Sequence, residues 1–376
     1  MKSMPRFLLA VCLLCCPVPA FALDHISLKR NGKIIYLSGK IVIEADDGGV
    51  LLLATDGVMW PVPSEELQSS KRDARPFKML DKAAMAKRLV AELQGFRVHK
   101  TAHYVVCYNT SPAYAQWCGA LYERLYRGFF TFWKNQGLKL TEPDYPMIAL
   151  VFNSQLTYAE YAKPELGATT NSVIGYFSTV SNRVVMYDLT RFVGGQPRTA
   201  VHINRILSQP RSERNVATIV HEATHQLVYN SGLHQRFADV PRWLSEGMAI
   251  YFETPDLNSK KGWSGIGEIN RVRLTAFRNY LRNRPADSLT TLLTTDERFK
   301  DAEQMAVAYG EAWSLHYFLI RNRPKEYLSY LKILAAKEPY VFDTPEERLA
   351  EFKSIFGDDL KGLDAEFVRA IRRIRP

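Results

Sequence analysis

The sequence predicts an α+β chain: a small all-β module, then a larger domain that opens on a small mixed sheet and continues as a mostly helical half. Three observations carry this. Short apolar runs between His25 and Leu67 are separated by Asn31-Gly32, Asp46-Asp47-Gly48-Gly49 and Asp56-Gly57, which are hairpin and turn signals. From Phe77 to Tyr187, strand-like and helix-like patterns alternate. From Ile269 onward the apolar residues fall at the three-four spacing of helix faces.

Met1 to Ala22 reads as a signal peptide. Lys2 and Arg6 form a positive start, Phe7 to Cys16 a short apolar core, and Ala20-Phe21-Ala22 an A-x-A cleavage signal. A lipid anchor on Cys15 or Cys16 ranks second, because Cys15 rather than a small residue precedes Cys16. No later stretch is long and apolar enough to span a membrane. The expectation is an exported chain, periplasmic or extracellular, with no integral membrane segment after cleavage. Of the 5 cysteines, Cys107 and Cys118 remain after cleavage. An oxidising compartment permits a disulfide between them, and two separate buried thiols are the alternative.

The chain has 49 Lys plus Arg against 39 Asp plus Glu, a formal +10. Apart from clusters such as Lys71-Arg72 and Arg369 to Arg375, the positive residues are scattered. That distribution suits a basic soluble surface and gives no reason to expect a nucleic-acid partner. A hydrophobic fraction of 47% is ample for a core.

The β-module is expected over residues 23–68, as a meander or barrel. Ser69 to Arg75 is polar and charged and reads as a linker, and residues 69–95 form a linker and helix ahead of the main domain, 96–376. Asp81 to Leu93 has helical spacing, and His103 to Tyr108 is a strand. Ser111-Pro112 opens a long helix with a stripe at Cys118, Leu121, Leu125, Phe129 and Phe132. Pro146 to Phe152 is a strand, followed by a short helix around Leu156 to Tyr161. Val173 to Phe177 and Arg183 to Tyr187 are strands around a Ser181-Asn182 turn. Helices are expected over Ile269 to Arg282, Ala302 to Ile320, Glu326 to Ala336, Pro345 to Phe356 and Leu363 to Ile374.

Between the sheet and these helices lies His221-Glu222-x-x-His225. Residues four apart on a helix lie roughly 40° apart around its axis, so both imidazoles face the same way and can hold one Zn²⁺. Glu222 projects beside them, placed to polarise a water rather than to bind the metal. Ser212 can cap this helix, and Asn230-Ser231-Gly232 stops it. A second helix follows Pro241, and Glu246 lies where a carboxylate can reach back to the metal. Gly247 lets the two helices approach closely.

HExxH followed after about twenty residues by Trp243-Leu244-Ser245-Glu246-Gly247-Met248-Ala249-Ile250-Tyr251-Phe252-Glu253 resembles the gluzincin metallopeptidases, the thermolysin and zinc-aminopeptidase clan. The whole pattern also looks like an uncharacterised peptidase-MA-like family of exported bacterial proteins with a small β-module in front. The resemblance implies a zincin-like catalytic domain with one Zn²⁺ on His221, His225 and Glu246, Glu222 as general base, and a peptide or protein substrate. It also implies a sheet whose edge strand holds extended substrate, and residues 183–187 are expected to be the strand nearest the metal. Tyr309, 63 residues after Glu246, stands where the aminopeptidases carry a tyrosine that binds the tetrahedral intermediate. The match is partial, Tyr-Gly-Glu-Ala, and a core tyrosine is the alternative. His234 is the next candidate donor. Glu253 can orient a metal-bound imidazole, or be a surface carboxylate. The aminopeptidase Gly-x-Met-Glu-Asn segment is missing, so the resemblance implies a zinc peptidase and not an aminopeptidase. A peptidase fold kept as a catalytically silent binding or scaffold protein is the competing reading.

Overall fold

The computed structural model describes residues 22–190, 199–253 and 265–375. The expected signal peptide lies outside the described residues, apart from Ala22. Among the described residues, no helix is long and apolar enough to cross a membrane. The chain divides into two compact units between Met79 and Leu80.

The first unit is an antiparallel sheet of β1 (Ala22–Arg30), β2 (Lys33–Glu44), β3 (Val50–Ala54), β4 (Met59–Val62) and β5 (Leu67–Pro76), in the order β4-β3-β2-β1-β5. Asn31 and Gly32 have φ of 52° and 74°, as the tight turn between β1 and β2 requires. Ile26, Leu28, Val50, Leu52 and Val62 form its core. The expected linker, Ser69 to Arg75, is instead most of β5, paired with β1. An edge strand needs only its backbone to pair, so its side chains can be polar throughout. Here they add cross-strand bonds: Ser27 to Ser69 at 2.7 Å, Arg72 to Asp24 at 2.6 Å and His25 to Asp73 at 2.9 Å.

The second unit begins with α1 (Lys82–Glu92), capped by Asp81, and β6 (Arg97–Lys100). It continues through β7 (Tyr104–Tyr108), α2 (Pro112–Asn135), β8 (Met147–Phe152), α3 (Gln155–Leu166), β9 (Gly175–Ser178) and β10 (Arg183–Tyr187). The sheet order is β6-β7-β8-β10-β9; β7, β8 and β10 run parallel, while β6 and β9 are antiparallel edge strands. Alternate side chains of β7 and β8 enter two cores. Tyr104, Val106, Ala149 and Val151 meet α2, while Val105, Ile148 and Leu150 meet α1 and α3. This alternation excludes the possible disulfide and leaves the alternative, two separate buried thiols. Cys107 faces the α1–α3 side and Cys118 packs from α2 on the other, and both are free buried thiols.

Then come α4 (Ala200–Leu207), α5 (Pro210–Asn230) and α6 (Arg242–Phe252). The helical half adds α7 (Arg271–Tyr280), α8 (Ser288–Thr294), α9 (Met305–Asn322), α10 (Pro324–Ala335), α11 (Pro345–Phe356) and α12 (Leu360–Arg373). Inside it, buried Glu311 accepts from Arg284 at 2.8 Å and Arg298 at 2.7 Å, and Arg284 also grips Asp364. These pairs tie α9 to α12 and to the segment around α8.

Candidate metal centre

α5 is amphipathic across the sheet. Val216, Ile219, Val220, Ala223, Leu227 and Val228 are buried, while His221, Glu222, His225 and Tyr229 form a partly open face. Two polar residues pin its buried side. Gln226 donates to the carbonyls of Ile148 (3.0 Å) and Asn182 (2.8 Å), and the side chains of Asn230 and Asn182 exchange two bonds. The open face is thereby fixed relative to β8 and the β9–β10 hairpin. The helix starts at Pro210 after Gln209, not at Ser212. Ser212 lies in the first turn and donates to the Ile206 carbonyl, because Pro210 is already suited to the first helical position. It ends at Asn230 as expected, with Gly232 at φ 77°.

α6 brings the third ligand candidate. His221 Nε2 lies 3.1 Å from Glu246 Oε2 and 3.2 Å from His225 Nε2, and His225 Nε2 lies 3.8 Å from Glu246 Oε2. Donors bound tetrahedrally to zinc at their usual bond lengths stand roughly 3.3 Å apart, so the three atoms have the spacing of a shared ion. Among the described residues this is the cluster able to hold a metal. The outer ring nitrogens are engaged elsewhere. His221 Nδ1 meets Glu253 Oε2 at 2.8 Å, and Ser245 Oγ lies 3.4 Å from His225 Nδ1. With the hydrogen of each neutral ring on Nδ1, these contacts turn both Nε2 lone pairs toward one point. Glu253 is in turn held by Asn270, which donates to Oε1 at 3.0 Å while capping α7.

The charges fit the same reading. Burial alone would strip the proton from His221, but Glu246 and Glu253 override it and hold the imidazolium well above the usual range. Burial would raise Glu246, yet its bonds to His221 and His225 hold it well below the usual carboxylate range. Three carboxylates thus surround two imidazoles, and a divalent cation can supply the positive charge that a proton supplies otherwise. The donor set, spacing and charge all fit zinc.

Residues 215–341 match a family model described as "Protein of unknown function (DUF1570)". The match takes in most of α5, all of α6, and Tyr309, and its description carries no activity. No curated protein matches the sequence.

Glu222 is pushed up, first by burial and then by Glu246, against the opposing pulls of His221, His225 and a backbone bond. That bond corrects the expectation about residues 183–187. The Phe177 N–H donates to Glu222 Oε2 at 2.8 Å, so β9, not β10, meets the site. β10 is paired on both sides, by β8 and β9, and has no free edge to offer.

Gly247 also acts on a different neighbour from the one expected. A Cβ there would stand 2.6 Å from the Ala312 carbonyl, so the glycine admits α9 against α6, not α5.

Tyr309 stands one turn into α9, edge-on to Phe299, with its hydroxyl beside Arg242. Burial and Glu246 push its phenol up to about 12, against the pull of Arg242, so it is a protonated donor at neutral pH. His234 does not reach over the cluster. It is 1% exposed, packs against Tyr229, and is driven down to about 3 by burial and by His225.

Sequence reasoning missed Arg242, Ser245, Asn270 and the Phe177 N–H. Arg242 and Ser245 had a signal, four residues and one residue before Glu246. Asn270 had none, because only the fold brings the start of α7 to Glu253.

Proposed function

We propose that the chain is an exported zinc-dependent peptidase of gluzincin type, and that its second unit is a zincin-like catalytic domain. The observation that carries this reading is the convergence of His221 Nε2, His225 Nε2 and Glu246 Oε2 on one face, with Glu222 beside them. His221, His225 and Glu246 would hold the zinc. When bound, zinc would supply a Lewis acid that acidifies a water and polarises a carbonyl.

Glu222 takes the proton of the attacking water and delivers it to the leaving amine. The Phe177 N–H steadies Oε2 and leaves Oε1 to carry the proton. β9 also supports a peptide substrate, because among the described residues it is an edge strand of its sheet, where an extended chain can add as a strand. The Tyr309 hydroxyl donates to the oxyanion that develops on the carbonyl.

Metal analysis of the purified chain should return one zinc per chain, and a chain that takes up none contradicts the reading. Two variants follow from the geometry. Glu253→Ala frees the His221 ring and should weaken zinc affinity about 10–100-fold in a chelator-competition titration; unchanged affinity would return Glu253 to a structural role. Tyr309→Phe should lower kcat by about 10²–10³ with KM nearly unchanged and zinc retained. An unchanged kcat would leave Tyr309 as packing on Phe299.

A further inference from the structure

Arg242 opens α6 beside the metal ligands and is not used by the chemistry above. We propose that Arg242 is the specificity residue of this cleft and reads a carboxylate next to the scissile bond of a peptide; this rests on the peptidase reading.

Its surroundings carry the inference. The Arg242 side chain is 42% exposed, and its Nε lies 3.5 Å from Glu246 Oε1. Three arginines of this half have closer carboxylates: Arg284 with Asp364, Arg298 with Glu311, and Arg348 with Asp239. Among the described residues, the carboxylate that Arg242 pairs with is Glu246, at a longer distance than any of these. Glu246 is shared with both histidines. Asp296 also faces Arg242, but it is held by Arg348 at 3.2 Å and accepts the Arg242 backbone N–H at 3.0 Å.

The guanidinium is aimed, not loose. It lies over the Phe299 ring at 5.7 Å and beside the Tyr309 hydroxyl, while Arg273 covers the Tyr309 ring at 5.1 Å. A cation this close to a metal ligand opposes metal binding, whereas bracing Tyr309 and Phe299 needs no charge. An anion supplied from outside resolves that conflict, and an arginine fork suits a carboxylate.

Arg242 Nε stands 3.5 Å from an oxygen of the carboxylate that joins the two histidines. In a peptide whose scissile carbonyl lies at the cluster, the carboxylate of the following residue falls roughly 4–6 Å from that carbon, by ordinary backbone dimensions. A free C-terminal carboxylate and an Asp or Glu side chain share this chemistry.

The test uses the zinc-loaded full mature chain carrying Glu222→Gln, so that peptides bind without turnover. Three kinds of N-acetylated tetrapeptide probe are titrated calorimetrically: the tetra-alanine free acid, its C-terminal amide, and a set of amides with Asp replacing Ala at each position in turn. Either the acid or one Asp amide should bind roughly 10- to 100-fold more tightly than the neutral amide. Preference for the acid identifies the terminal carboxylate, and preference for an Asp amide identifies a side chain. Adding Arg242→Gln should erase the ratio without changing neutral-peptide affinity or zinc content, and Arg242→Lys should keep part of it. A residue that merely braces the site would lower all affinities alike. Equal binding of charged and neutral probes, or a ratio that survives Arg242→Gln, overturns the proposal and leaves the peptidase reading standing. No binding of any probe removes both.

Discussion

Glu222→Gln is expected to abolish peptide hydrolysis, a loss of about 10²–10⁴ in turnover, while zinc content and fold stay intact. Glutamine has nearly the size of glutamate, and its side-chain oxygen can still accept the Phe177 N–H that Glu222 accepts at 2.8 Å. The bond between α5 and β9 therefore survives, and only the capacity to take a proton is lost. Glu222 contributes no atom to the convergent set formed by His221, His225 and Glu246, so metal binding has no reason to fall. The check is kcat on a peptide that the wild type cleaves, with metal analysis of the same sample. Full activity in the variant would remove Glu222 from its role.

Glu246→Ala is expected to leave the chain without stoichiometric zinc, a larger loss than that of Glu253→Ala. The substitution removes the anionic donor of the set and leaves two imidazole nitrogens 3.2 Å apart. It also strips Arg242 of the carboxylate 3.5 Å from its Nε, so the emptied corner becomes more positive just where a cation has to enter. Metal analysis after dialysis decides it. Zinc retained undiminished would take Glu246 out of the ligand set.

The site was legible in the sequence where helical geometry alone places side chains. His221 and His225 share a face because they are four apart, and Glu253 returns to the side of Glu246 because it is seven residues on. The opening of α2 at Ser111-Pro112 and the turn at Asn31-Gly32 were legible for the same local reason. What pairing and packing decide was not. β5 is an edge strand with polar side chains on both faces, so it carries no alternation and reads as a linker. β6, Arg97-Val-His-Lys, has a single aliphatic residue and is a strand only because β7 lies beside it.

The same limit applies to the cleft. Nothing local distinguishes residues 175–178 from 183–187 as the edge, since that depends on which strand inserts beside β8. An oxidising compartment would permit Cys107 and Cys118 to pair, yet a sheet stands between them. Gly247 announces a close approach without saying which helix makes it.

The measurement that bears most directly on the central claim is cleavage of a broad peptide library by the purified mature chain, before chelation, after it, and after zinc is returned. Cleavage that disappears with the chelator and comes back with zinc is the expected result. Cleavage indifferent to the chelator, or none from a chain holding one zinc, would contradict it.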